Sequence, residues 1–386
     1  VGTSKKILLA DTTLRDGEQT PGVAFSPNQK ALIAKRLAQC GLREIEAGTP
    51  SIGKVEMEAF DKILSLGLSA RILAWGRMTE EDLKAVKHSG TTTVNLSIPL
   101  SDIQIATKLK TTRSSVLEKI KKYVSKAKDM GLEVAVGGED ASRADEHFLM
   151  EAIEVAQQSG AFRFRYADTV GILDPILTYK IISKLKKITP MLLEFHGHDD
   201  FGMATANSIA AWHAGVDSLS LTVCGLGERA GNGSLEEVAF FLSIRENVDS
   251  GIDLKALFSL CFLVARFSGR KIPRWKSILG KDIFLHESGI HVDGILKNPR
   301  NYEPFNPTIV GRKHRFILGK HSGRKSVLWT YEKLGILLSE EQARRILDQI
   351  RDFAINNKRT PSKEELIGFV DTPTALPASG TIKKSC

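Results

Sequence analysis

The feature that most constrains this chain is a rhythm. Across its first two-thirds, short apolar runs of strand length alternate with longer amphipathic stretches. Apolar runs of about four to eight residues suit buried strands, whereas recurrence at every third and fourth position suits a helix with one buried face. The candidate strands are Ile7–Ala10, Glu44–Ala47, Ala70–Trp75, Thr93–Ile98, Glu133–Val136, Phe162–Ala167, Leu192–His196 and Ser218–Val223. The candidate helices between and after them are Pro27–Gln39, Lys54–Leu66, Glu80–His88, Ser114–Met130, Asp145–Gln158, Pro175–Lys187, Ala204–Ala214 and Leu235–Ile244. Gly41, Gly67, Gly90, Gly131, Gly160 and Gly215 each stand shortly after a helix, where a left-handed residue is wanted, and Ser26-Pro27 reads as a cap followed by proline at the first helical position. Alternating strand and helix makes a parallel sheet with helical crossovers, and eight units of about 30 residues suit a closed barrel better than an open sheet. The expected fold class is α/β, a (β/α)8 TIM barrel over residues 1–267.

After Phe267 the rhythm stops. His286–Gly294 and Gly319–Arg324 read as Gly-rich charged loops, followed by helices near Lys325–Leu334 and Glu340–Asn356. The tail from Asp371 to Cys386, with its Pro, Ser and Gly, reads as loosely ordered. Residues 268–386 are therefore expected to form a smaller, mostly helical lid and dimerisation region.

With 386 residues, 42% of them hydrophobic, the chain can bury one large core and keep a smaller appendage. No apolar run approaches the roughly 20 residues that span a bilayer, and Val1-Gly2-Thr3-Ser4-Lys5-Lys6 lacks the apolar core of a secretory signal, so a cytoplasmic location is expected. Cys40, Cys224, Cys261 and Cys386 are scattered without CxxC spacing, which points to free thiols rather than disulfides or a zinc knuckle. The formal charge of +9 comes with no nucleic-acid motif and few aromatics. A solvated helix face explains Lys119, Lys121, Lys122, Lys126 and Lys128, and basicity near a site would suit an anionic substrate or a phosphate-bearing cofactor. Neither nucleic acid nor membrane is expected as a partner.

In a barrel of this kind, the active site is built from the C-terminal ends of the strands. Polar residues accumulate there: Arg15 and Asp16, Glu46, Arg77, Ser97, Glu139 and Asp140, Asp168 and Thr169, His196 and His198, then Glu228, Arg229 and Asn232. The sharpest element is His196-Gly197-His198. Strand side chains alternate faces, so two histidines one residue apart point the same way and can share one ion. Alone, such a pair is weak evidence. Its place at a strand end, with Asp199 and Asp200 following, strengthens it. Two imidazoles and a carboxylate leave coordination positions open, the arrangement by which a protein polarises a substrate oxygen. Asp16 could instead cap a helix or pair with Arg15.

Asp11–Gln19, Glu139–Arg143, Ala167–Gly171, the histidine pair, Gly225–Asn232 and His286–His291 occur in an ordered series. In them, and along nearly its whole length, the chain resembles the metal-dependent Claisen-condensing enzymes of the barrel lyase family, which includes isopropylmalate, homocitrate and citramalate synthases. Within that family it is most similar to homocitrate synthases of the nitrogen-fixation type, at Leu73-Ala74-Trp75, Glu139–Asp145, Trp275-Lys276-Ser277 and Asn301-Tyr302-Glu303. The resemblance implies condensation of acetyl-CoA with 2-oxoglutarate and thioester hydrolysis to homocitrate and CoA, serving the nitrogenase iron-molybdenum cofactor. The same chemistry on another 2-oxo acid would give 2-isopropylmalate, citramalate or citrate. No room is expected for the C-terminal regulatory domain of leucine-pathway relatives.

The resemblance also implies roles for individual residues. Asp16, His196 and His198, with Asn232 near them, would hold a divalent ion (Mg, Mn or Zn). Arg15 would stabilise the developing enolate oxygen. Gln19, Thr169 and Glu194 fall near the bound acid, although Glu194 could instead orient a ligand histidine. His291 and Tyr302 match the lid positions that supply the general base, acting in trans within a homodimer, while His286 would shape the lid and His321 bond within a loop. The fifth-strand arginine of lysine-pathway homocitrate synthases is missing from Val134–Gly138, leaving Arg77, Arg143 and Arg165 as candidates for the distal carboxylate. His88, His147, His213 and His314 read as surface or packing residues. An iron oxygenase with two histidines and one carboxylate would use similar ligands, but on a β-sandwich; a non-catalytic barrel would not need every chemical group that is present here.

Overall fold

A computed structural model describes residues 7–371 of the chain. Its parallel strands close into a barrel in sequence order: β1 (Leu8–Asp11), β2 (Glu44–Gly48), β3 (Arg71–Arg77), β4 (Thr93–Pro99), β5 (Glu133–Glu139), β6 (Arg163–Asp168), β7 (Leu192–Gly197) and β8 (Ser218–Leu221). β1 pairs with both β2 and β8, so the barrel has no open edge. All eight expected strands are present, with ends displaced by up to three residues. The largest extension is in β5, which runs on through Gly137 and Gly138. Glycine reads as a strand breaker in isolation, but a Cβ at Gly138 would stand 2.8 Å from both Leu100 Cδ1 and Phe164 Cζ. Close packing, rather than a turn, requires the missing side chain.

The crossover helices are Pro27–Gln39, Lys54–Ser65, Glu80–His88, Arg113–Asp129, Glu146–Gln158, Pro175–Ile188, Ala204–His213 and Leu235–Phe240. Their starts follow from capping chemistry. Ser26 and Gln29 form a reciprocal capping box, and the side chains of Thr79, Thr112, Asp145 and Asp174 accept from first-turn amides. A further helix, Leu254–Phe267, was not expected from the eightfold pattern; it starts at the Asp253 cap and buries Leu257, Leu260, Cys261 and Val264.

The chain divides after Gly280 into two compact units. Residues 268–280 stay with the barrel: Arg270 donates to Pro21 O at 3.1 Å and Lys276 Nζ to Glu237 Oε1 at 2.7 Å. In the second unit, Leu318, Val327, Tyr331, Ala343, Ile346, Leu347, Ile350 and Leu366 form a separate apolar core. Helices Arg324–Lys333 and Glu340–Asn357 lie where expected, and Lys363–Asp371 adds another. The stretch expected as a loop at His286–Gly294 is largely helical, because Gly289–Lys297 buries Val292 and Ile295, three positions apart on one face. The segment after Asp371, including Cys386, lies outside the described residues, as do residues 1–6.

Candidate active site and metal centre

Strand alternation does at β7 what the sequence suggests: His196 and His198 turn the same way, at the barrel's C-terminal end. Their Nε2 atoms lie 3.4 and 3.9 Å from Asp16 Oδ2, in the turn after β1. All three side chains are buried, and one ligand atom from each falls within 4.8 Å of the others. His196 Nδ1 meets Ser220 Oγ at 3.2 Å, which fixes the ring, while buried His198 Nδ1 has no partner. Burial and neighbouring His196 push His198 down to about 4, so it stays neutral near pH 7. Burial alone would raise Asp16, but Arg15 and His196 outweigh it and hold the carboxyl well below its usual range. Two imidazoles and an ionised carboxylate converging in a buried site fit a divalent cation.

Asn232 joins this group through backbone pairing. It is bridged to His198, its amide donates to Gly225 O at 3.0 Å, and Asp199 N bonds Gly231 O at 2.9 Å, so the loop after β8 is pinned to the end of β7. Asn232 Nδ2 donates to Asp16 Oδ1 at 3.0 Å, leaving its buried Oδ1 unpaired. Gly227 is required here: a Cβ would stand 2.1 Å from Asn232 Nδ2.

Arg15 is clamped between Asp16 Oδ2 at 2.8 Å and Glu46 Oε2 at 2.7 Å, with its guanidinium 5.5 Å from the centre of the Trp75 ring. Glu46 is the hub of the barrel interior. It also accepts from Thr12 Oγ1 at 2.6 Å and Asn95 Nδ2 at 3.2 Å, and pairs with Arg165 at 3.1 Å. Arg165 reaches on to Glu194, which also faces Arg163 at 3.3 Å and accepts from Ser218 at 2.8 Å. Glu194 thus contacts neither ligand histidine, and it does not line the cavity above; its position below His196 on the strand gives it Arg165 and Arg163 as partners instead.

Arg15, Asp16, Gln19, Thr169, Arg165, His196 and His198 wall one cavity of about 260 Å³, together with Trp75, Asn95, Ser97, Lys108, Glu139 and Arg229. Arg77 and Arg143 are not on its wall. Arg77 is clamped by Asp82 at 2.7 Å and Arg143 by Asp140 at 2.6 Å, because each carboxylate sits three to five residues from its arginine and captures it locally. Lys108, which no motif flags, is on the wall instead, paired with Glu139. It comes from the irregular turn Ile105–Leu109 after β4.

In the C-terminal unit, His291 and Tyr302 come together, their rings stacked 4.1 Å apart. His286 Nε2 lies 3.0 Å from His314 Nδ1, and His314 Nε2 lies 2.8 Å from Glu303 Oε2. His314, read from sequence as a surface or packing residue, is therefore the centre of a His–His–Glu chain.

Residues 6–264 match the HMGL-like family model. The chain belongs to the HMGL-like family. Residues 278–358 match a second model, described as homocitrate synthase post-HMGL domain-like. Among HMGL-like relatives, homocitrate synthase 1 of Nostoc is 48% identical, over 95% of this chain and 97% of its own. The 2-isopropylmalate synthase 2 of Caldanaerobacter subterraneus is 45% identical, over 94% of each chain. The crystal structure of a Bacillus HMG-CoA lyase superposes with a TM-score of 0.63 at 19% identity, covering 72% of this chain and 98% of that one, which shows the shared fold. This HMGL-like chain is an acyltransferase of the homocitrate synthase kind. No helix among the described residues is long and apolar enough to cross a membrane.

Proposed function

We propose that the chain condenses acetyl-CoA with 2-oxoglutarate and hydrolyses the resulting thioester to homocitrate and CoA, in the cytoplasm, in support of the nitrogenase iron-molybdenum cofactor. The observation that carries this reading is the convergence of Asp16, His196 and His198 beside Arg15 on the wall of one cavity. The Nostoc relative and the C-terminal homocitrate synthase model favour 2-oxoglutarate as acceptor; the isopropylmalate synthase relative keeps 2-oxoisovalerate in the comparison.

Asp16, His196 and His198, with Asn232 steadying the carboxylate, are the residues that would hold a divalent ion. Bound there, it would supply Lewis-acid polarisation of the acceptor ketone. Arg15 is permanently charged and held by two carboxylates, so its remaining donors are preorganised for the oxygen on which enolate charge develops. A base must take a proton from the acetyl methyl group, the resulting carbanion attacks the ketone carbon, and water then cleaves the thioester to release CoA. His291, stacked on Tyr302, is assigned as that base, reaching the barrel of a partner subunit in a homodimer. Gln19 and Thr169 would orient the acid. Glu194 would act through Arg165, and Lys108, on the cavity wall beside its partner Glu139, would take the distal carboxylate in place of Arg77 and Arg143, which lie off that wall.

The test is release of free CoA thiol from acetyl-CoA, with and without chelator, across 2-oxoglutarate, pyruvate, 2-oxoisovalerate and oxaloacetate, with products identified by mass. Chelator-sensitive release with 2-oxoglutarate is expected. Preference for another acid would reassign the acceptor, and no release with any acid would overturn the chemistry.

A further inference from the structure

We infer that Cys224, Cys261 and Glu236 form a second cation site, for a thiophilic divalent ion of the zinc class, and that the ion braces the loop after β8 against two helices. The inference stands apart from the identity of the acceptor acid and of the acyl donor.

Three separate elements bring these side chains together. Cys224 stands in the turn after β8, Glu236 on the helix Leu235–Phe240 and Cys261 on the helix Leu254–Phe267. One ligand atom from each, two sulfurs and a carboxylate oxygen, falls within 4.8 Å of the others. None of the three lines the reaction cavity, and none belongs to the Asp16, His196 and His198 group.

Packing alone does not account for the cluster. Glu236 is fully buried; its Oε2 accepts from Cys224 N at 2.9 Å, while its Oε1 has no hydrogen-bond partner. A buried carboxylate oxygen left without a donor is costly, and a cation is what it lacks. Burial raises both the Glu236 carboxyl and the Cys261 thiol, so that without an ion each is held toward its neutral form. The backbone at Cys224 is a further mark. With φ at 60° it lies in the left-handed region, which glycine occupies at less cost, so the cysteine is kept there against strain. Its Sγ donates to Cys261 O at 3.6 Å, a weak bond that keeps the sulfur at that helix. Cys224 is also only partly buried and lines an outer cavity of about 210 Å³ with Leu226, Ala265 and Ser268. An ion therefore has a way in, and water can take the coordination position that three protein ligands leave open.

The two donor sets divide the cations between them. Two imidazoles and a carboxylate accept magnesium or manganese as well as zinc, whereas two thiolates and a carboxylate select zinc or cadmium over magnesium. Cys224 directly precedes the loop whose Asn232 donates to Asp16, and Asn232 N is itself bonded to Gly225 O. An ion at Cys224 would thus steady the root of the loop that supports the catalytic carboxylate.

Cadmium is the probe, because cadmium thiolates give an ultraviolet charge-transfer band that nitrogen and oxygen ligands do not. Full-length Cys386→Ser protein, kept reduced and in excess magnesium, is titrated with cadmium. A single equivalent should develop the band, and adding His196→Ala should leave it in place. Cys224→Ser should abolish it, and Glu236→Gln should keep the band but weaken binding about tenfold or more, the worth of one charged contact. Zinc in place of cadmium should raise Tm in the Cys386→Ser protein by more than it does once Cys224→Ser is added. No band, or a band that survives Cys224→Ser, would overturn the site. A band lost with His196→Ala would put the ion at the catalytic centre and overturn it too, and equal zinc-dependent rises in Tm would overturn the brace.

Discussion

At the scale of single residues, the site is an exercise in holding charge without water. Burial alone would raise the Glu46 carboxyl, yet Arg15 and Arg165 outweigh it and keep the group ionised far below its usual range. Glu46→Gln keeps the shape but turns one acceptor into a donor facing a guanidinium. It should leave Arg15 mispositioned, lowering kcat by about a hundredfold with little change in KM, and cost roughly 3 kcal/mol in urea unfolding for a broken buried pair. A stability loss with unchanged kcat would remove Arg15 from the chemistry. His198 titrates in the opposite sense to a paired histidine: its folded value lies near 4 against an ordinary 6.5. Between those values the unfolded chain binds the extra proton, so this group's contribution is complete above pH 6.5 and is lost as pH falls toward 4. About 2.5 pH units at about 1.4 kcal/mol each gives roughly 3–4 kcal/mol. Metal-free wild type should therefore lose about that much more stability than His198→Gln over the same acid range, and parallel profiles would show that His198 is not held neutral. The histidine pair is legible in sequence because strand alternation is local. The hub at Glu46 is not: its contact with Arg165 spans 119 positions and depends on which strands face each other across a closed barrel.

Elements carry these residues to their places, and the loops after the strands do the exacting part. Most strands and helices can be read because burial period and capping are written within ten or so residues, as in Ser26-Pro27-Asn28-Gln29. Lys108 could not be read that way. It leaves an irregular turn that ends at Lys110 in the left-handed region, with no spacing to mark which way the side chain goes. Lys108→Met should raise KM for 2-oxoglutarate by about tenfold while sparing a monocarboxylate acceptor such as pyruvate; equal effects on both would place the lysine elsewhere in the mechanism. Gly227 makes the complementary point about the loop after β8. With Asn232 Nδ2 2.1 Å from where a Cβ would sit, Gly227→Ala must push the amide off Asp16. Weaker binding of a divalent ion by calorimetry is expected, with little change in barrel stability, and unaltered binding would mean that Asn232 does not support the ion site.

Across the whole molecule, the second unit has its own centre of burial. Ile346, Val327, Tyr331 and Ile350 are fully enclosed, and Tyr331 Oη donates to Leu366 O to close the cluster over the last described helix. That core contains none of the barrel's strands, so its stability is a separate quantity. Ile346→Ala removes buried methylene and methyl groups and leaves a cavity, a loss of about 2–5 kcal/mol. Urea unfolding should then split: the phase reporting the C-terminal unit moves to lower denaturant, while the phase followed through Trp75 and Trp212 in the barrel stays where it was. If His291 and Tyr302 supply the proton-taking group, the same variant should lose turnover at urea concentrations where the barrel is still folded and still binds a divalent ion. Turnover that persists until the barrel itself unfolds would mean that the barrel alone holds the whole reaction, and would remove the stacked pair from the mechanism.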